Sequence, residues 1–496
     1  MKTTEQIEHD KNLRRVVVSS LVGAVIEWYD FFLYGVVAGL IFNHLYFPEF
    51  DDRIGTMLAF ATFAVGFVAR PLGGLVFGHF GDKIGRKKVL VLTLMIMGTG
   101  TVAIGCIPSY ASIGIWAPIL LILCRVAQGL GLGGEWGGAV LMSFESAPAH
   151  KRAFYASLPQ VGLSLGLLLA SGVIGFFSAV LSNEAFISWG WRIAFIMSAG
   201  LLFVGSYIRS SVHETKDFAE AKAKMPEVKY PLLDAFKRYP KMMVACMGAR
   251  LIDGVAFNTF AVFSLSYLTQ TRGLERSSAL AVVMIASVVM SFFIPFWGYV
   301  ADRIGKARVF GFCALLLGIL GFPAFWVFHN YSDNYLYVCL ALALPFGVVY
   351  AAVFGTMSSL FSDSFDPSVR YSAISFVYQF SGIFAAGLTP MVATMLVAWN
   401  GGEPWYLCAY LGSAGLISAA CTLWIGISTE RAFLLLCLLR VKPPFRNRSW
   451  KGNPPSRAGE WVWNRGGEIL LRKVVLLPSP TPTPPQRQGD GQPAPP

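Results

Sequence analysis

Between Val16 and Ile427 the chain divides into twelve runs of roughly twenty mostly apolar residues, near 16–42, 56–79, 89–107, 117–141, 154–181, 190–208, 242–268, 278–300, 309–328, 335–361, 371–397 and 404–427. An α-helix needs about 20 such residues to cross the hydrocarbon of a bilayer. A chain with twelve of them can satisfy its backbone in lipid only as helices, so the expected fold is all-α and polytopic. The composition agrees: 55 % of residues are hydrophobic and only 14 % charged, against about 25 % charged in soluble domains. So few charges cannot cover the surface of a water-soluble protein of 496 residues.

The formal charge of +12 does not point to nucleic acid, because of where the charge lies. The segment from Glu430 onward holds eleven Lys/Arg and four acids, a surplus of seven. Much of the rest sits in loops that alternate between apolar runs: Lys11, Arg14 and Arg15; Lys83, Arg86, Lys87 and Lys88; Lys151 and Arg152; Arg303, Lys306 and Arg308; and the long segment from Arg209 to Lys241. The intervening loops carry little beyond Arg53, Arg272 and Arg276. By the positive-inside rule the basic side is cytoplasmic, which places both termini inside and the chain as a multi-pass protein of the cell inner membrane. The polar N-terminus, Met1 to Arg15, lacks the pattern of a signal peptide. Eight scattered cysteines, with no C-x-x-C pair, read as small buried hydrophobes and give neither a disulfide framework nor a metal site.

The two halves repeat. Gly78-His-Phe-Gly-Asp82-Lys-Ile-Gly85-Arg86 follows the second run, and Gly298-Tyr-Val-Ala-Asp302-Arg-Ile-Gly305-Lys306 follows the eighth, 220 residues on. The expected organisation is a six-helix half over 1–208, a cytoplasmic central loop over 209–241, a second six-helix half over 242–428, and a basic, Pro-rich, disordered tail over 429–496. Twelve helices in two pseudo-symmetric halves is the parallel-repeat plan of a secondary carrier. The tail has no heptads, and its apolar stretch Ala432–Leu439 is too short to span. The alternative for its basic residues is contact with anionic lipid.

Gly78 to Arg86 resembles the loop 2–3 signature of the major facilitator superfamily, G-x-x-x-D-x-x-G-R. Four further strings narrow the resemblance: Glu27-Trp-Tyr-Asp30-Phe, Arg70-Pro-Leu-Gly-Gly, Arg125-Val-Ala-Gln128-Gly through Gly133-Gly-Glu135-Trp-Gly-Gly, and Trp189-Gly-Trp-Arg-Ile. As a set they are similar to the metabolite:H⁺ symporter family. Ser143-x-Glu145-Ser-Ala-Pro148 and Phe154-Tyr155 look closest to its shikimate-type branch. The resemblance covers residues 1 to about 428 and implies a proton symporter of small organic acids working by alternating access, with a zwitterion of the proline/betaine type or an uncoupled uniporter as alternatives. It also implies that Asp82 and Arg86, with their counterparts Asp302 and Lys306, latch the ends of the halves. Lys306 stands where the signature has Arg.

Ionisable residues at mid-membrane cost about 2.5–3.5 kcal/mol each on insertion scales, so each wants a function. Glu27 and Asp30 lie about 18 and 22 Å along the first helix from Arg15 at 1.5 Å per residue. Spacings of three and four put Glu27, Asp30 and Tyr34 on one face, where two close carboxylates can share a proton. Arg125 is the leading candidate for the substrate's anionic group, since a guanidinium stays charged and grips a carboxylate bidentately. Gln128 and Glu135 share its stripe, and Arg70 is a candidate to neutralise Glu27 or Asp30. In the second half Arg250 and Asp253 are spaced to pair, and Asn258, Tyr350 and Gln379 are polar positions able to line a cavity. No nucleotide, protease or metal motif is complete: Gly305-Lys306-Ala307 lacks a P-loop's other elements, and His213-Glu214 has no second His. The expected partners are therefore a small organic acid, protons and lipid, with no cofactor, no nucleic acid and no enzymatic activity.

Overall fold

The computed structural model describes residues 4–84, 86–133, 141, 143–211, 231–439, 461–463 and 469–471. Its spanning helices follow the apolar runs: α1 (Val17–Leu40), α2 (Asp52–Phe77), α3 (Val91–Cys106), α4 (Trp116–Leu132), α5 (Ala149–Val180), α6 (Asn183–Gly205), α7 (Pro240–Thr271), α8 (Arg276–Ile304), α9 (Lys306–Asn330), α10 (Tyr335–Asp363), α11 (Pro367–Trp399) and α12 (Trp405–Thr429). Ten are long and apolar enough to cross a bilayer, and α3 and α4 are shorter apolar helices within the described residues. The architecture is the expected twelve-helix bundle of two halves. Nearly all of the apolar stretch of α7 is buried, so it stands inside the bundle, whereas only a third of that of α6 is buried and much of it faces outward.

Close backbone contact sets how α2 and α4 face each other. A Cβ on Gly129 would strike the Gly66 carbonyl, and one on Gly133 would strike the Arg70 carbonyl. Without side chains at these crossings the two backbones touch, which is how helices associate when lipid offers no hydrophobic drive. The contact fixes the rotation of both helices and hence the directions of Arg70 and Arg125.

Among the described residues four spanning helices contain π-helical turns: Phe186–Gly190 in α6, Asn258–Phe263 and Tyr267–Thr271 in α7, Ala343–Tyr350 in α10, and Ile383–Gly387 in α11. Such turns are rare and gather at functional sites. Those in α7, α10 and α11 shift the register of Asn258, Tyr350 and Ala386, all of which face one cavity.

Two segments depart from expectation. The central segment is not all loop, because Pro231–Arg238 forms an amphipathic helix. Its apolar side buries Ala235, and Phe236 meets Phe376 of α11 edge-on at 5.0 Å; the local charge density had masked that apolar stripe. The twelfth helix continues past residue 428 as Trp405–Leu439. Residues 436–496 form a separate compact unit. Within it, the segment expected to be disordered contains an antiparallel strand pair, Trp461–Trp463 with Ile469–Leu471, in which Trp461 faces Leu471 and Trp463 faces Ile469.

Candidate functional site

A narrow cavity, enclosing about 320 Å³ of non-atom space with open solvent included, lies between the halves. The first half contributes Trp28, Phe31 and Phe32 from α1 and Phe67 and Arg70 from α2. The second contributes Arg250, Asp253, Phe257 and Asn258 from α7, Tyr350 and Phe354 from α10, and Tyr378 from α11. A smaller cavity of about 280 Å³ is lined by Glu27, Trp28, Arg70, Leu132, Tyr378 and Gln379. Trp28, Arg70 and Tyr378 border both, so the two spaces meet at the Arg70 side chain.

Arg70 is 2 % exposed and lies over the rings of Phe31 (4.1 Å) and Phe67 (4.2 Å). Its Nε and Nη2 have no hydrogen-bond partner. A buried guanidinium with two unused donor nitrogens beside a cavity is chemically suited to an anion. Arg125, the residue favoured from sequence, is placed elsewhere. It borders neither cavity. It sits behind the aromatic layer, 4.0 Å over the Tyr34 ring, donating to Gln128 Oε1 (2.6 Å) and the Phe63 carbonyl (3.3 Å). Gln128 in turn donates to Thr101 Oγ1 at 2.7 Å, and the Tyr34 hydroxyl meets Thr62 Oγ1 at 2.5 Å. Arg125, Gln128 and Tyr34 therefore form a polar cluster inside the first half, separated from the larger cavity by the Phe31 ring, with Arg125 Nε also lacking a hydrogen-bond partner. Gly66 makes room for it, since a Cβ there would lie 2.7 Å from Arg125 Nη2.

The carboxylates are also sorted by structure. Glu27 and Asp30 do not share a pocket. Glu27 borders the smaller cavity, while Asp30 is fully buried against the Thr101 and Ser198 hydroxyls of α3 and α6. Neither Asp30 oxygen makes a well-formed hydrogen bond. A three-residue step turns a helix by about 300°, enough to send the two side chains to different neighbours in a crowded interior. In α7, Arg250 and Asp253 do pair: Arg250 Nε lies 3.6 Å from Asp253 Oδ2, and Tyr350 donates to Asp253 Oδ1 at 2.8 Å. Arg250 also donates to Ser381 Oγ (3.2 Å) and stacks on the Tyr378 ring at 3.7 Å. Asn258 donates to the Gly254 carbonyl (2.9 Å), and Gln379 donates across the halves to the Gly133 carbonyl (3.0 Å).

The halves touch at both ends of the cavities. At the end bearing the basic loops, Asp302 accepts from the Ala153 and Phe154 amides in the first turn of α5, each at 2.9 Å. Gly305, at φ +103°, ends α8 just beyond it, in backbone space that a side chain would strain. Glu145 pairs with Arg370 at 3.1 Å, also between halves. Lys306 bonds Asp363 of its own half rather than crossing, although its ammonium also lies 5.2 Å from the Phe144 ring of the other half. Tyr239 donates to Asp366 within the second half. Partial burial, with that bond, pushes the Tyr239 hydroxyl up to about 12, so it remains a donor at neutral pH. At the opposite end Gln270 of α7 accepts from Thr56 (3.2 Å) and donates to the Gly39 carbonyl (3.3 Å). Among the described residues the halves are thus bridged at both ends of the central space. Gly78, Asp82, Gly85, Arg86 and Glu135, the first-half latch among them, lie outside the described side chains.

Sequence reasoning passed over Trp28, Tyr378, Thr101 and Ser198, none of which carries a charge to stand out in an apolar run. Glu145 and Arg370 were visible as charges, but nothing in the sequence shows that they meet.

Residues 16–230 match the family described as sugar (and other) transporters, and residues 246–455 match the major facilitator superfamily. The chain is 38 % identical over 421 residues to the shikimate transporter of Escherichia coli (strain K12), covering 84 % of this chain and 95 % of that one. It is 34 % identical over 397 residues to the proline/betaine transporter of Salmonella typhimurium (strain LT2), covering 78 % of each. Among solved structures, the proton:xylose symporter bound to 6-bromo-6-deoxy-D-glucose superposes with a TM-score of 0.66 at 16 % identity, over 84 % of this chain and 96 % of that one. At that identity the likeness concerns the fold.

Proposed function

The chain belongs to the major facilitator superfamily, in its metabolite:H⁺ symporter family, and is a multi-pass membrane transporter of small metabolites, not an enzyme; from that premise we propose that it imports a small organic acid by proton symport, alternating access around the cavity at Arg70. The observation that carries this reading is the Arg70 guanidinium, buried, bordering both cavities and holding two unused donors. A carboxylate gripped there would sit among Trp28, Phe32 and Phe257, a wall suited to a compact apolar or cyclic body. Arg125 keeps a structural part in this scheme, and the substrate contacts pass to Arg70, Asn258, Tyr350 and Gln379.

For the proton we favour Asp30. An ionised carboxylate fully buried with only the Thr101 and Ser198 hydroxyls beside it costs far more than a protonated one. In the closed form it is therefore expected to hold a proton, and to release it when one end opens to water. Arg250 and Asp253 already pair with each other and with Tyr350, which suits them to sense the substrate rather than to carry the proton. By the distribution of basic loops, the end latched by Asp302 faces the cytoplasm.

The same aromatic wall supports a second reading, a zwitterion of the proline/betaine type, because Trp and Tyr faces attract quaternary ammonium groups. Uptake of radiolabelled shikimate, a panel of other carboxylates, proline and betaine into cells expressing the chain, with and without a protonophore, tests both. Saturable acid accumulation abolished by the protonophore is the expected result. Acid equilibration indifferent to the protonophore would make it a uniporter, and uptake of betaine alone would replace the acid.

A further inference from the structure

Three side chains that border the central cavities are at least 95 % buried and have polar atoms with neither a hydrogen bond nor an ion pair: Arg70 at Nε and Nη2, Asn258 at Oδ1 and Gln379 at Oε1. A fourth, Arg250, makes no hydrogen bond through Nε but holds it 3.6 Å from Asp253 Oδ2. Buried polar groups in folded proteins are overwhelmingly satisfied, so such a set on one site calls for an occupant. The amide orientations follow from their partners. Asn258 Nδ2 donates to the Gly254 carbonyl and Gln379 Nε2 to the Gly133 carbonyl, so each side chain turns its oxygen, an acceptor, to the unfilled side. Asn258 borders the larger cavity, Gln379 the smaller, and Arg70 both.

We propose that Asn258 and Gln379 are hydroxyl-reading residues and that the substrate is a hydroxylated monocarboxylate, its carboxylate on Arg70 and a hydroxyl donor directed at each amide oxygen. This rests on the reading of Arg70 as the carboxylate site. A quaternary betaine brings no N–H or O–H donor and leaves both oxygens unpaired, and a deoxy acid does the same. A site with buried polar groups rejects an analogue lacking their partners far more strongly than an apolar pocket rejects a methylene. Gln379 has a second consequence. Its amide bridges the halves through Gly133, so a hydroxyl on Oε1 polarises that bond and favours the closed form only when the hydroxyl is present.

The test is equilibrium binding to the full chain in nanodiscs, with three probes: shikimate, cyclohex-1-ene-1-carboxylate (the same ring and carboxylate without hydroxyls) and glycine betaine. The unmodified protein should bind shikimate more tightly than the deoxy acid by roughly 5- to 150-fold for each hydroxyl read. Asn258→Ala should weaken shikimate by a factor in that range and leave the deoxy acid unchanged, whereas Gln379→Ala, which also loses the bond to Gly133, should weaken shikimate by such a factor more than it weakens the deoxy acid. Equal affinity of the unmodified protein for the two acids overturns the proposal with no variant needed, as do variants that weaken both acids alike. Either result leaves the carboxylate site standing. Binding of betaine with no binding of either acid would remove the carboxylate site and this proposal together.

Discussion

Asp302→Ala should open the end of the bundle that carries the basic loops. Its carboxylate accepts two amide hydrogen bonds of 2.9 Å from the first turn of α5, and it belongs to α8, so both bonds join the halves. Hydrogen bonds to a charged group contribute about 1.5–3 kcal/mol each, and a carboxylate at a helix N-terminus gains about 0.3–1 kcal/mol more. Asp302 is only partly buried, and water replaces both bonds once the halves part. The net loss is therefore nearer about 2–3 kcal/mol, a shift of about 30- to 150-fold in the closed-to-open ratio. Ser358 supplies a reporter. It is fully buried and donates to the Ala156 carbonyl of the other half at 3.4 Å, so a cysteine there reacts with a water-soluble maleimide only when that end opens. The labelling rate of Ser358→Cys, corrected with the parent protein for the exposed Cys106, should rise by that factor in Asp302→Ala. Asp302→Asn, which keeps one acceptor, should fall between. An unchanged rate in Asp302→Ala would show that the end is held shut by something else, with the Glu145–Arg370 pair the first suspect.

Arg70→Lys replaces the two-pronged donor by a point charge and should weaken carboxylate binding by about 30-fold or more, with insertion unaffected; a dissociation constant within threefold of the parent would take Arg70 out of the site. Asp30→Asn should abolish accumulation driven by a pH gradient while counterflow of labelled substrate continues, and gradient-driven uptake at the parental level would place the proton elsewhere. Gly66→Ala puts a methyl 2.7 Å from Arg125 Nη2 and should destabilise the first half by about 1–3 kcal/mol. It should lower Tm without altering substrate affinity, because Arg125 borders neither cavity; a large loss of affinity at normal Tm would return Arg125 to the binding site.

The number of spans, the two-half plan and the supply of intramembrane charges were all determined by the sequence alone. Each follows from a local rule: about 20 apolar residues per crossing, basic loops alternating with neutral ones, and the recurrence of the Gly78–Arg86 pattern at Gly298–Lys306. The local pairing of Arg250 with Asp253, three apart on one helix, was legible for the same reason. Which arginine meets the cavity was not. In a soluble helix the polar face marks the outside, but lipid is as apolar as a protein core, so the pattern along α2 or α4 does not report rotation. That rotation was decided by tertiary contact, with Gly129 against Gly66 and Gly133 against Arg70, and it turned Arg70 inward and set Arg125 behind Phe31 and Tyr34. The same holds for the Ala153 and Phe154 amides that Asp302 reaches, for Gln379 reaching Gly133 and for the π-helical turns that carry Asn258 and Tyr350 to the cavity. Their partners lie far off along the chain, and only packing of the two halves brings them within hydrogen-bond reach.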